Sequence, residues 1–134
     1  MLPSPEFRDQ LDAYTTQLFA PEDEVLIWIQ QQAAARQLPA ISVKPFEGRL
    51  LQFLLQAISA KKVVEIGALA GYSGVWMARA LPPDGALYTV EKNHAHAEMT
   101  RESFKRAGLS ERAHVLEGDA LMMLSKLTPQ GPFD

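Results

Sequence analysis

The sequence predicts an α/β fold with a doubly wound parallel sheet, and three observations support this prediction. Short apolar runs of strand length recur after residue 61, and each run is followed by a segment of helical length. The turn between the first run and its helix is rich in glycine. Strands that alternate with helices form parallel sheets with right-handed crossovers. The predicted strands cover residues 63–66, 86–90 and 114–116.

A helix is predicted after each of these strands. The first covers residues 73–81 and ends before a turn that contains two prolines and a glycine, and the last covers residues 120–127. The second helix begins after Asn93, which can cap it, and runs to residue 107; Gly108, the next residue, suits a glycine C-cap. The strand–helix order therefore repeats three times.

The first 60 residues have a different character. Helical spacing of apolar residues predicts one helix over residues 7–19, a second that begins at residues 21–24, and a third over residues 46–59. Residues 40–43 lie between two prolines, which favour extended backbone. The second helix carries an apolar stripe that includes Trp28. We expect this helix to lie outside the sheet core and to dock on a second subunit.

Two segments are predicted: a helical N-terminal segment, residues 1–60, on the dimer and substrate side, and the first half of an α/β domain, residues 61–134. Phe133 and Asp134 resemble the beginning of a fourth strand. A three-stranded parallel sheet leaves an edge open where that strand would pair. We therefore expect a sheet truncated before its fourth strand, either because the chain is a fragment or because a partner completes it.

Composition excludes several classes of protein. Hydrophobic residues form 47% of the 134 residues and charged residues 22%, which is typical of a folded domain and not of a disordered chain. The net charge of −3 disfavours nucleic acid as the main partner. The chain has no cysteine, which excludes disulfides and thiolate chemistry. No signal peptide or membrane-spanning run is recognised, so we expect a soluble, cytoplasmic protein that does not bind membranes.

The glycine-rich turn follows the first predicted strand, where α/β sheets bind nucleotide-like ligands. Gly67, Gly71 and Gly74 have the spacing G-x-x-x-G-x-x-G, whereas dinucleotide folds use G-x-G-x-x-G. No Lys-Ser or Lys-Thr pair follows the last glycine, so the turn is not a P-loop. The sequence therefore predicts a nucleoside ligand without a pyrophosphate.

An acidic residue lies at or just beyond the end of each predicted strand. Glu65 ends the first apolar run, Glu91 follows the second, and Asp119 follows the third. An acid after the second strand can accept hydrogen bonds from ribose hydroxyls, as in dinucleotide folds. Glu91 taken alone has an equally good interpretation as a surface acid, but three acids after three successive strands indicate a ligand site.

These residues resemble the class I methyltransferases that use S-adenosylmethionine. The resemblance rests on VVEIGALAGYSG at residues 63–74, then YTVEKN and GDAL further along, and it covers about residues 38–134. The EIG–GYS string is similar to that of the cation-dependent O-methyltransferases, the catechol and caffeoyl-CoA group. The fold implied is a Rossmann-like methyltransferase sheet preceded by N-terminal helices.

The resemblance also implies which residues bind the cofactor. Glu65 would meet the methionine amino group, Ser73 the methionine carboxylate, and Glu91 the ribose hydroxyls, while Asp119 and Ala120 would border the adenine. The full implied set is Val43, Glu65, Gly67, Ala68, Gly71, Ser73, Glu91, Asp119 and Ala120.

The implied activity is methyl transfer from S-adenosylmethionine to a hydroxyl of a small molecule, assisted by a divalent cation such as Mg²⁺, in a homodimer. In this family the metal-binding and catalytic residues come from the strand that opens with Phe-Asp and from later strands, so we assign none within the 134 residues. Two alternatives stay open: an inactive fragment that binds cofactor or only dimerises, and, less favoured, an NAD-dependent oxidoreductase.

His94 and His96 are the residues most easily mistaken for a metal site. Residues two apart on a helix point in different directions, whereas helical ligand pairs are three or four residues apart. Neither cysteine nor a neighbouring carboxylate cluster accompanies them in the sequence. We therefore assign no metal ligand to this pair.

Overall fold

The computed structural model describes residues 3–134, and these form helices around a parallel sheet of three strands. The elements in chain order are α1 (Pro5–Phe19), α2 (Glu24–Ala35), α3 (Pro45–Ala57), β1 (Lys62–Ile66), α4 (Tyr72–Ala78), β2 (Ala86–Glu91), α5 (His94–Arg106), β3 (Ala113–Glu117), α6 (Ala120–Leu127) and a 3₁₀ turn, Thr128–Gln130. The predicted α/β class is confirmed.

The strands lie in the order β1-β2-β3 and both pairings are parallel. Because neighbouring side chains of a strand point to opposite faces, the two sides of the sheet bury different residues. Val63 and Leu87 pack under α4 and α5, whereas Tyr88 and Val90 pack against Met123 of α6. Helices therefore cover both faces, as the predicted doubly wound sheet requires.

The sequence prediction that α2 lies outside the sheet core is wrong. Val25, Leu26 and Ile29 are buried, and they belong to the same apolar cluster as Val75 of α4 and Leu87 of β2. The apolar stripe that predicted a subunit contact is therefore used within the chain. Residues from both predicted segments, 1–60 and 61–134, share this one core.

Several helix boundaries differ from their predictions by a few residues, and the differences at α2 and α4 have clear physical reasons. Helix α2 begins at Glu24 because the Asp23 carboxylate caps it by accepting from the Leu26 nitrogen, 3.0 Å away. Helix α4 ends at Ala78 and gives way to a tighter turn, in which Leu81 N donates to the Ala78 carbonyl. The prolines that follow disfavour helical backbone at the preceding residue, so the helix cannot continue into them.

Residues 40–43 were predicted to be extended, but they join no strand, and the chain bends at Ala40, where the Ile41 nitrogen donates to the Pro39 carbonyl at 2.9 Å. At the other end of the chain, the backbone nitrogen of Asp134 donates to the Lys62 carbonyl at 2.9 Å. The Asp134 carboxylate accepts hydrogen bonds from the backbone nitrogens of Lys61 and Lys62. The segment 133–134 thus lies beside the start of β1, where a fourth strand is expected.

Within residues 3–134 no helix is long and apolar enough to cross a bilayer.

Candidate functional site

The turn between β1 and α4 depends on two glycines with left-handed backbone. Gly67 has φ +87° and donates to the Val90 carbonyl at 2.8 Å, which ties the turn to β2. Gly71 has φ +81° and is the N-cap of α4. A Cβ at position 71 would lie 3.1 Å from Cγ2 of Thr100, whereas a Cβ at position 67 would have no atom within 4 Å. The backbone at Gly67 therefore faces open space.

Glu91 holds this turn in place from the end of β2. Its Oε2 accepts hydrogen bonds from the backbone nitrogens of Ala68 at 3.1 Å and Leu69 at 3.0 Å. Its Oε1 accepts from the backbone nitrogen of Asn93 at 2.8 Å. Burial by itself would raise the pKa of Glu91, but the hydrogen bonds from Asn93, Leu69 and Ala68 outweigh burial and hold the pKa below its ordinary value. The carboxylate is buried and ionised.

Glu65 occupies a different environment at the end of β1. Its two oxygens accept hydrogen bonds from the hydroxyls of Ser73 and of Thr89, the latter at 2.6 Å. Burial raises the pKa of Glu65, and the nearby Glu91 charge raises it further, while the two hydroxyls only partly oppose this. A buried carboxylate without a cationic partner costs free energy, so this position favours a ligand that brings a positive charge.

A cleft of about 340 Å³ opens between the glycine turn and the connecting segment, residues 39–43. Five of the predicted cofactor-binding residues line it: Val43, Gly67, Ala68, Ser73 and Glu91. A concave, mostly apolar cleft with a few convergent polar groups is the usual form of a small-molecule site. The structure therefore brings most of the predicted residues together at the carboxyl ends of β1 and β2.

Four predicted residues do not line this cleft. Glu65 reaches it only through its bond to Ser73, and Gly71 is buried against Thr100. Asp119 is exposed and caps α6 by accepting from the Leu121 and Met122 backbone nitrogens. Ala120 follows Asp119 as the first residue of α6. The adenine role of Asp119 and Ala120 stays a prediction.

Sequence reasoning predicted no cofactor contact for three polar residues that line the cleft, Ser42, Tyr72 and His96. Tyr72 is buried and its hydroxyl donates to Glu22 Oε1 at 2.6 Å, which links the cleft to the segment before α2. His96 lies in the first turn of α5, with Nδ1 3.9 Å from Glu91 Oε1. Asn93 is the predicted cap of α5, and a residue three positions after a cap that follows Glu91 so closely lies near that acid. The sequence therefore contains a local signal for His96.

His94 points away from this cleft toward another group of charged residues. Its Nδ1 is 2.8 Å from Glu117 Oε1, and Glu98 lies close enough for the three side chains to share an ion. The guanidinium of Arg101 already pairs with both Glu98 and Glu117. The group is exposed, and both of its carboxylates already pair with that arginine, so it does not fit a catalytic metal site.

The chain matches a family model described as O-methyltransferase over residues 16–134. Among curated proteins it is 41% identical over 128 residues to a catechol O-methyltransferase of Niastella koreensis, covering 94% of this chain and 58% of that protein. This chain therefore spans little more than half the length of that relative.

Solved structures of O-methyltransferases are also similar to this chain, and it again covers little more than half of each of them. An O-methyltransferase from Bacillus cereus in complex with SAH has a TM-score of 0.89 and 38% identity, covering 93% of this chain and 58% of the other. The O-methyltransferase TomG from Streptomyces achromogenes, in complex with SAM, has a TM-score of 0.93 and 36% identity, covering 99% and 60% respectively.

Proposed function

This chain belongs to the O-methyltransferase family, and on that basis we propose that its cleft binds S-adenosylmethionine. The observation that carries the proposal is the arrangement of Glu91 and the glycine turn. A buried, ionised carboxylate shapes a backbone turn at the mouth of a cleft that has room for a nucleoside. That arrangement suits a ligand with hydroxyls to donate and no phosphate to neutralise.

The residues present fit this cofactor in charge as well as in space. The half-buried Glu65 carboxylate has no cationic partner among residues 3–134, and the amino group of the methionine part would supply one. Ser73 lies beside Glu65 on the cleft wall, and its hydroxyl could donate to the methionine carboxylate once the ligand's amino group replaces it as a partner of Glu65. Gly67 leaves open space for the ligand, and Val43 would contact it from the connecting segment.

We propose further that the whole protein transfers a methyl group to a hydroxyl of a small molecule. When bound, the cofactor would supply an electrophilic methyl group, and the chain's own contribution would be to hold and orient it. Catechol- or caffeoyl-CoA-like acceptors are proposed because the similar curated proteins are named as catechol and caffeoyl-CoA O-methyltransferases. No residue from 3 to 134 is assigned a catalytic step.

A divalent cation is proposed only for the whole protein, from resemblance to the cation-dependent group. Glu91 is the one carboxylate among the described residues that line the cleft, and its oxygens already accept three backbone hydrogen bonds. The cleft as described therefore does not fit a metal, and we derive no step through one. Loss of methyl transfer in EDTA, restored by Mg²⁺, is the expected result for the full-length enzyme.

Calorimetry tests the cofactor assignment directly. S-adenosylhomocysteine is expected to bind this chain one to one, and NAD is expected not to bind. Stabilisation by NAD without any by S-adenosylhomocysteine would replace the proposal with the oxidoreductase alternative. Binding without methyl transfer to a panel of catechols and acyl-CoA phenols would leave the alternative of an inactive cofactor-binding fragment.

We also propose a homodimer, because apolar side chains of α1 and α3 share an exposed surface. Leu18 and Phe19 of α1 and Leu50 and Phe53 of α3 are each more than half exposed and line one groove. Exposed apolar patches of this kind mark interaction surfaces. Sedimentation should give twice the chain mass, and Phe53→Lys should shift the measured mass toward that of a monomer.

The cytoplasmic location stays a prediction, which cell fractionation can check.

A further inference from the structure

We propose that His96 is a second ribose-binding residue, which binds one ribose hydroxyl together with Glu91. The inference rests on the proposed function, since it concerns the same cofactor. His96 lines the cleft beside Glu91, and neither the sequence nor the family resemblance had given it a role. A ribose hydroxyl can bind both side chains only if the Glu91 carboxylate still has a free acceptor position near His96.

A carboxylate has about four acceptor positions, two on each oxygen. Two positions on Oε2 of Glu91 are taken by the backbone nitrogens of Ala68 and Leu69. One position on Oε1 is taken by the backbone nitrogen of Asn93. A single acceptor position on Oε1 is therefore left for a ligand, and His96 lies next to this oxygen.

The spacing of the two side chains fits a shared hydroxyl. His96 Nδ1 is 3.9 Å from Glu91 Oε1, which is too long for a direct hydrogen bond. Two hydrogen bonds of about 2.8 Å that meet at one oxygen at roughly a right angle span about this distance. A hydroxyl between the two groups can donate to Oε1 and accept from an Nδ1–H. An ether or carbonyl oxygen cannot donate, so the pair selects a hydroxyl.

The position of His96 is well determined by its surroundings. Its backbone nitrogen donates to Asn93 Oδ1 at 3.2 Å, and its carbonyl accepts from Thr100 Oγ1 at 2.9 Å. Its side chain is 21% exposed, whereas the His94 side chain is 76% exposed and bonded to Glu117. His94 is thus a matched control, because it is the same residue type in the same helical turn and lies outside the cleft.

The experiment measures the affinities of S-adenosylhomocysteine and of its 2′-deoxy and 3′-deoxy analogues by calorimetry. His96→Ala is expected to weaken the parent ligand about five- to tenfold, the effect of one lost hydrogen bond. The deoxy analogue that lacks the shared hydroxyl should bind the unaltered chain less tightly than the parent ligand does. Its affinity should not fall further in His96→Ala. His94→Ala should bind all three ligands as the unaltered chain does.

The inference would be overturned if His96→Ala reduced the affinity for all three ligands equally, or for none of them. The proposed function would stay intact in either case. Failure of the unaltered chain to bind S-adenosylhomocysteine would instead overturn the proposed function. A second measurement needs no substitution: the parent ligand should shift the ¹⁵N resonance of His96 Nδ1, and the analogue lacking the shared hydroxyl should not. Identical shifts with both ligands would contradict the shared hydroxyl.

Discussion

Glu91 Oε2 lies 3.0 Å from the backbone nitrogen of Leu69, so the acid at the end of β2 is bonded to the turn that follows β1. Leu69 has φ +52°, a left-handed conformation that costs a non-glycine residue about 1–2 kcal/mol. The hydrogen bonds from Leu69 and Ala68 to one buried carboxylate offset that cost. Glu91 therefore shapes the cleft as well as offering an acceptor to its ligand.

Replacing Glu91 should weaken the cofactor site. Glu91→Ala is expected to reduce the affinity for S-adenosylhomocysteine by about 1–3 kcal/mol, because a charged acceptor is lost and the turn loses two of its bonds. Calorimetry measures the change. Glu117→Gln is the control, since Glu117 ends β3 as Glu91 ends β2 but bonds only to His94 and Arg101. Unchanged affinity in Glu91→Ala would mean that Glu91 serves the fold alone.

The contribution of Glu91 to stability should depend on pH. Its pKa is lowered from 4.5, so the folded state favours the ionised form. The stabilisation is therefore fully present above pH 4.5 and is lost as the pH falls through the lowered pKa. Urea unfolding of the unaltered chain and of Glu91→Gln should differ most above pH 5 and converge in more acidic solution. A constant difference would contradict this linkage.

Glu65 should behave in the opposite way. Its pKa is raised above 4.5, so the ionised form is disfavoured in the folded state, and its cost grows as the pH rises through the raised pKa. Glu65→Gln is expected to raise the melting temperature of the ligand-free chain at pH 8 and to leave it nearly unchanged at pH 4.

The same substitution should weaken S-adenosylhomocysteine binding, because the neutral amide cannot pair with the amino group of the ligand. A gain in stability without a loss of affinity would show that the buried carboxylate does not meet that amino group. A loss of stability at pH 8 would show that its bonds to Ser73 and Thr89 outweigh the cost of burying the charge.

The two left-handed glycines of the turn between β1 and α4 should differ in their tolerance of alanine. Gly67→Ala is expected to cost about 1–2 kcal/mol of unfolding free energy, since only the backbone conformation is strained. Gly71→Ala should cost more, because its Cβ would also lie 3.1 Å from Cγ2 and 3.3 Å from Cα of Thr100. Urea unfolding of both variants gives the comparison. Equal costs would mean that Thr100 moves aside freely.

Local patterns in the sequence determined the order and type of the elements after residue 61. Strands appear as short apolar runs, and caps such as Asn93 and the glycine turn at residues 67–74 are encoded within a few neighbouring residues. The same local reasoning predicted that Glu65 and Glu91 lie near each other, because residues that end neighbouring parallel strands meet at one edge of the sheet. These predictions depend on backbone geometry that a few residues define.

Only the tertiary structure decided which neighbours those residues have. The apolar stripe of α2 indicates that one face of this helix is covered, but it does not indicate which element covers that face. In the fold, α2 packs on α4 of the same chain. Asp119 follows its strand as Glu91 does, yet its carboxylate caps α6 and does not line the cleft. His96 follows Glu91 closely in the chain, but the cleft that both side chains line exists only because residues 39–43 lie opposite the glycine turn. Such contacts join residues from different elements, and their distances follow from packing rather than from spacing along the chain.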